Sequence, residues 1–339
     1  MITAASRMKK QVEEFCAQIG ADPLLVQGAG GNVSWKDGDA LWVKASGMWL
    51  AEAESKEIFV PVNLKHLKDS LAKQDFSVKP EIASSSGLRP SIETLLHALM
   101  PHRVVVHLHA VEILTHLVRV NARQKIENLV GDAVQWIFVD YFKPGADLAR
   151  AISDELKTTP DADVIFMANH GVVIASSNVE NVSKTLQLLI RKMQIKKPQL
   201  PIEDIPSARQ KDFYSNGYTP CIDKEVSRLS INDNFISKLR NGWALYPDHV
   251  VFLGAEAHIL EKDFTMLDLK EVAQRKPPVI FAIHDGVYES TTLTPSQKSQ
   301  LRCFYDVISR LDSEEILSVL SAPQVAELLN WEAEKYRQD

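Results

Sequence analysis

A chain of 339 residues with 45% hydrophobic content is long enough for one large domain or two ordinary ones, each with its own core. A formal charge of −6, with lysine and arginine scattered, argues against general nucleic-acid binding, and no run reaches the roughly 18 apolar residues that a membrane span needs. Cys16, Cys221 and Cys303 are odd in number and far apart, which suits reduced thiols; with no uninterrupted apolar stretch near Met1 to suggest a leader, the expected setting is the cytoplasm.

MITAASRMKKQVEEFCAQIG has the period of an amphipathic helix ending at Gly20. LLVQG leads into the glycine-rich turn GAGGN, after which NVSWK and ALWVKAS flank Asp37-Gly38-Asp39 as the arms of a β-hairpin. A helix is predicted near Val62 to Ala72. Pro90 and Ser91 open a second one, with Leu95, Leu96 and Leu99 apolar and Glu93 in the first turn, where the helix dipole favours a carboxylate. Taken alone, Glu93 is most simply a surface charge.

VVVHLHA, from Val104 to Ala110, reads as a strand. Alternation puts Val105, His107 and His109 on one face and Val104, Val106 and Leu108 on the other, so two imidazoles converge on whatever the strand borders. They are half of a metal site or two hydrogen-bonded core residues. Next come a helix over Glu112 to Val120, a strand in WIFVDY and a helix over Ala146 to Leu156. DVIFMANHGVVIA then offers a third ligand: a buried strand from Val164 to Ala168 runs into Asn169-His170-Gly171, the glycine permitting a tight turn at positive φ.

An amphipathic helix over Glu180 to Ile195 precedes the Pro-rich connector KKPQLPIEDIPSARQ, which is expected to divide the chain into domains 1–205 and 206–339. In the second, HVVFLGA and PPVIFAI read as strands, with helices over Ser296 to Leu311, Glu314 to Leu320 and Ala322 to Tyr336, giving a smaller α/β unit. Asp248 and His249 read as a turn before a strand. No internal repeat is evident from the residues.

GAGGNVSWKDG, the Ser46-Gly47 pair in VKASGMWL, Glu93 with His97 four residues later, the HLH pair and the NHG turn stand in the order and approximate spacing of the class II aldolase and adducin family, which this chain resembles. Its sugar-phosphate members include fuculose-1-phosphate and rhamnulose-1-phosphate aldolases. Over nearly the whole chain there is also similarity to the aldolase portion of bifunctional rhamnulose-phosphate aldolase/alcohol dehydrogenase proteins, in segments such as RPSIET, PDHVVFLGAE and LNWEAEKYRQ. No GxxxGxG follows a strand here, so a fused redox activity is not expected.

The resemblance implies an α/β/α sandwich around a mainly antiparallel sheet. It implies that His107, His109 and His170 hold Zn2+ or another divalent ion with one position open, and that Glu93 carries the proton, its pKa raised by partial burial. Gly31, Asn32, Ser46 and Gly47 would cradle a phosphate, with Ser91 either joining them or simply capping its helix. Ile92 departs from the second serine common in the sugar-phosphate aldolases, which weakens the case for a small phosphorylated ketose. His97 would orient Glu93 or sit in the core; Tyr141 would act as a proton donor across a subunit interface or be an ordinary strand tyrosine.

The implied activity is retro-aldol cleavage or formation of a C–C bond in a sugar or sugar phosphate, the metal stabilising an enediolate. Epimerisation, dehydration or decarboxylation are alternatives within the family, and a non-catalytic adducin-like binding module is the alternative outside enzymology; three convergent histidines and Glu93 count against it. The implied partners are a small sugar or sugar-phosphate molecule and other copies of the chain in a symmetric tetramer, with neither nucleic acid nor membrane.

Overall fold

A computed structural model describes residues 4–83, 87–197 and 209–330. They fall into two compact units, one up to Gln194 and one from Ile195 to Asn330.

The first unit opens with α1 (Ala4–Gly20) and the expected hairpin of β1 (Asn32–Asp37) and β2 (Ala40–Lys44), Asp37 facing Ala40. Strand β3 (Phe59–Asn63) was not legible in the sequence and takes Val62 out of the predicted helix. That helix, α2 (Leu64–Ala72), begins only after Asn63, whose side chain accepts the His66 N–H as an N-cap. There follow α3 (Thr94–Leu99), β4 (Val104–Leu108), α4 (Val111–Leu117), α5 (Ala122–Val130), β5 (Trp136–Val139), α6 (Ala146–Leu156), β6 (Val164–Met167), β7 (Gly171–Ser176) and α7 (Val179–Met193).

The seven strands run in the order β3-β2-β1-β4-β7-β6-β5, with β5–β6 the one parallel pair. Strand alternation decides the layers. Val104, Val106 and Leu108 pack with residues of α1, α4, α5 and α7; Val105 packs on the other face with Leu96 of α3 and Leu148 and Ile152 of α6. The result is an α/β/α sandwich with β4 between β1 and β7, as expected.

The second unit comprises α8 (Gln210–Ser215), β8 (Tyr218–Pro220), α9 (Asp233–Asn241), α10 (Pro247–Leu253), β9 (His258–Leu260), α11 (Met266–Gln274), β10 (Val279–Ala282), β11 (Gly286–Ser290), α12 (Pro295–Ile308) and α13 (Ala322–Leu329), with strand order β8-β11-β10-β9. Three expectations fail here. HVVFLGA lies in a helix and the turn after it: Pro247 occupies its first turn, and all seven residues of α10 are buried, so the run is apolar all round and its period cannot distinguish helix from strand. Asp248 and His249 are therefore inside a buried helix, not in a solvated turn. The stretch 314–320 is not helical; the Leu320 N–H bonds to the Ala244 carbonyl instead (2.8 Å). Of the predicted helix from Ala322 to Tyr336, residues 331–336 lie outside the described residues.

The fold also contains the repeat that the residues did not announce. The order β8-β11-β10-β9 matches β4-β7-β6-β5, including the parallel pair joined through a helix and the antiparallel hairpin followed by a long helix. Backbone bonds match residue for residue at a constant offset on the hairpin. Ala168 N–H to Val139 O corresponds to Ile283 N–H to Leu260 O, His170 N–H to Met167 O to Asp285 N–H to Ala282 O, and Ala175 N–H to Asp163 O to Ser290 N–H to Pro278 O. Asn169 and His284, equivalent in this register, are both left-handed, at φ 52° and 61°.

Candidate metal centre

His107 lies on an inner strand of the sheet, opposite Asn32 on β1 and Val173 on β7, and its ring has no access to solvent. Its Nδ1 is 3.1 Å from the Val172 carbonyl oxygen. A carbonyl only accepts, so Nδ1 carries a proton, and Nε2 is the nitrogen turned toward the cluster. That Nε2 lies 3.1 Å from Nε2 of His109, which follows the end of β4. His170 completes the group from the β6–β7 turn, and the ligand nitrogens of the three buried histidines all lie within 4.8 Å of one another. Tetrahedral zinc with bonds of about 2.05 Å holds its ligand nitrogens roughly 3.3 Å apart.

The turn achieves this differently from the expectation. Asn169, not Gly171, takes the positive φ. Gly171 is required by crowding: a Cβ there would stand 2.4 Å from the Leu108 carbonyl oxygen and about 3 Å from both the His109 and His107 rings.

Glu93 stands at the N-cap of α3 rather than inside its first turn, with φ −98° and ψ 15°, and its N–H donates to the Ser91 hydroxyl (3.2 Å). Its Oε2 accepts from Asn32 Nδ2 at 2.8 Å and lies 3.5 Å from His107 Nε2; its Oε1 lies 3.3 Å from His170 Nε2. Burial pushes the carboxyl up, as the sequence reading supposed, but the neighbouring His107 and His170 and the Asn32 bond outweigh it and hold the pKa at about 2. Glu93 is thus an anion at neutral pH, set to accept a proton.

The donor set fits a divalent ion. Three imidazoles, one with its Nε2 turned inward by the Nδ1 contact to the Val172 carbonyl, converge beside a carboxylate, the nitrogen-rich arrangement of zinc and neighbouring transition metals. His107, His109 and His170 are the residues that would hold it.

The expected cradle is only partly assembled as imagined. Gly31 is left-handed (φ 61°) and a Cβ there would meet the His107 carbonyl at 3.0 Å. Asn32 spends both ends of its amide inside the protein, on Glu93 and on His97. The Ser46 N–H is bonded to the Arg89 carbonyl (2.8 Å), so what Ser46 has to offer an anion is its hydroxyl; Gly47 turns at φ 78°, and the Ser91 N–H bonds to the Lys44 carbonyl (3.1 Å). Lys44 was missed. It is buried, and its Nζ donates to the Ala29 (2.9 Å) and Met48 (2.6 Å) carbonyls, tying the glycine-rich loop to the Ser46-Gly47 turn. No pattern marks a lysine that ends an otherwise ordinary strand. Tyr141 is half-buried just beyond β5, whose parallel pairing with β6 places it on the same end of the sheet as His170.

These motifs are those of a known group of metal-dependent aldolases and their relatives. The sequence profile of the class II aldolase and adducin N-terminal domain matches residues 10–196, and the chain belongs to this family. A Bacillus subtilis protein called the uncharacterized oxidoreductase YuxG is 30% identical over 206 residues, which are 55% of this chain but only 29% of that one. L-fuculose phosphate aldolase of Methanocaldococcus jannaschii is 25% identical over 56% of this chain and 99% of its own length. The solved N-terminal class II aldolase domain of a Thermoplasma acidophilum protein is 24% identical over 54% of this chain and 91% of that chain, with a TM-score of 0.46. Among the described residues no helix is long and apolar enough to cross a membrane.

Proposed function

We propose that the chain is a metal-dependent lyase that cleaves or forms a C–C bond in a sugar or sugar phosphate by a retro-aldol route. The observation that carries this reading is the buried Glu93 carboxylate, 3.3 Å from one and 3.5 Å from another of three imidazoles arranged to hold a metal. Bound there, a divalent ion supplies an electron sink for the pair released as the C–C bond breaks. Glu93, ionised at neutral pH, takes the proton from the sugar hydroxyl, and returns one to the carbon that has gained the electron pair. The buried histidines and the loops held by Lys44 shield the site from water, which strengthens each of these charge interactions. A binding module without chemistry has no use for a desolvated carboxylate aimed into such a cluster.

The reading extends to assembly: a symmetric tetramer in which a neighbouring chain completes the site, with Tyr141 the candidate donor on the substrate's far face. Purified protein of known metal content, offered ketose phosphates and their unphosphorylated counterparts, should release an aldehyde from at least one. Failure across the panel with full metal occupancy would overturn the lyase reading, and an active monomer by light scattering would overturn the shared site.

A further inference from the structure

The carboxylate of Glu93 is the end of a hydrogen-bonded chain whose direction can be worked out from one fixed point. A carboxylate only accepts, so the Asn32 group facing Glu93 Oε2 at 2.8 Å is the amide Nδ2, and Oδ1 faces the other way, onto His97 Nε2. That oxygen also only accepts. His97 Nε2 therefore carries a proton, and Nδ1 is left as the acceptor of the Ser34 hydroxyl at 2.7 Å. All four side chains are buried, with Ser34 and His97 fully so. Burial pushes the imidazole down to about 3 despite the pull of nearby Glu93, which keeps the ring neutral and its single N–H committed. Strand and helix periods make the alignment possible. Ser34 and Asn32 share a face of β1, and His97 stands one helical turn beyond Glu93.

We propose that His97 and Asn32 are positioning residues that hold Glu93 by Oε2, leaving Oε1, which has no hydrogen-bond donor among the described residues, as the oxygen that handles the proton. This rests on the reading of Glu93 as the proton carrier. It also moves Asn32 from the anion cradle to the acid/base machinery, which separates two kinetic outcomes. A cradle residue changes KM. A positioning residue changes kcat.

The test uses the zinc-loaded protein and dihydroxyacetone phosphate in D2O, following loss of a carbon-bound hydrogen by NMR. His97→Phe and Asn32→Leu should each lower the exchange rate roughly 10- to 100-fold with KM and zinc content unchanged, and His97→Gln, which can still donate, should recover part of the loss. Nitrogen-15 spectra of labelled histidine should show His97 as the Nε2–H tautomer, neutral down to pH 5. Undiminished exchange in both His97→Phe and Asn32→Leu while Glu93→Gln is inactive would overturn the positioning role alone, as would an Nδ1–H tautomer. Full exchange in Glu93→Gln, or none in the parent protein, would overturn the proton-carrier reading and this inference with it.

A second inference rests on backbone alone. We infer that the second unit is a diverged copy of the metal-bearing half of the first. Val164-Ile165-Phe166 and Gly171-Val172 recur as Val279-Ile280-Phe281 and Gly286-Val287, in the register of the shared backbone bonds. Pairing of Tyr288 with Pro220, equivalent to Val173 with His107, places Pro220, Ile222 and Asp285 where the first unit has its three histidines. The copy thus has no imidazole at any of the three positions. Titration with Zn2+ should saturate at one ion per chain, and at none after His107→Ala with His109→Ala. Pro220→His, Ile222→His and Asp285→His together should raise the parent's ratio to two. An ion retained by the double alanine variant, or a folded triple-histidine variant that still binds one, would overturn the equivalence.

Discussion

Residues in this protein act through short distances, and two substitutions test the site at that scale. Glu93→Gln keeps the shape and the Asn32 contact but cannot take a proton, so turnover should fall by roughly 100-fold or more with zinc content intact, as read by steady-state rates beside metal analysis. Gly171→Ala adds a single methyl group, 2.4 Å from the Leu108 carbonyl oxygen, and β4 or the β6–β7 turn must move apart to admit it. Overpacking of this kind costs about 1–3 kcal/mol. Because both elements carry histidines proposed to hold the metal, the loss should appear twice, as a lower Tm and as a weaker zinc affinity; an unaltered affinity would mean that the turn is not held by that contact. His107, His109, His170 and Glu93 could be read from the sequence because their residue types sit in local patterns, two residues apart on a strand or beside a turn. Lys44 and Ser34 could not, since their importance lies in partners brought together by sheet register and loop packing.

At the scale of elements, most boundaries followed from period and turn chemistry, and the failures in the second unit have two causes. The run at 247–253 is buried on every side, and an apolar stretch without alternation or a stripe has no period to read. Residues 314–320 were too few to make a helix without tertiary support, and the Leu320 N–H finds its partner at Ala244 instead. Burial of α10 has a measurable consequence. His249 is packed against the rings of Trp243 (4.3 Å) and Phe304 (4.5 Å), and burial, only partly offset by the Trp243 backbone, lowers its pKa to about 3. In the unfolded chain the same ring titrates near its ordinary value of 6.5. Between these values the unfolded state binds a proton that the folded state refuses, so stability should fall as pH drops below about 6.5, by up to about 1.4 kcal/mol per unit from this group. His249→Phe removes the titration and keeps the ring contacts. Urea unfolding followed from pH 7 to 4.5 should show a shallower acid loss in that variant, and an identical slope would mean that His249 is already protonated in the fold.

The whole molecule puts one backbone arrangement to use twice, and this is what the sequence hid most completely. Sheets tolerate almost any apolar filling that keeps alternation, so two copies can retain register and hydrogen bonds while side chains drift beyond easy recognition. What survives in the residues is the VIF run and the Gly-Val five positions beyond it, both of which serve the hairpin rather than the chemistry. The turns diverged according to their use. In the first, Gly171 is pressed against β4 and the histidines; in the second, a Cβ on Gly286 would meet nothing nearer than the Tyr288 ring at 3.6 Å, and Asp285 accepts the Tyr288 hydroxyl at 2.6 Å. Metal binding should therefore register in one turn only. Hydrogen–deuterium exchange of the zinc-loaded against the chelated protein should show added protection in peptides covering β4 and residues 169–172, because an ion that binds only the native arrangement suppresses its local opening. Peptides covering 284–287, with the same backbone bonds but no imidazole at the equivalents of the ligands, should exchange at the same rate in both states; protection there equal to that at 169–172 would show that zinc acts on both copies and that the second turn is not the metal-free one.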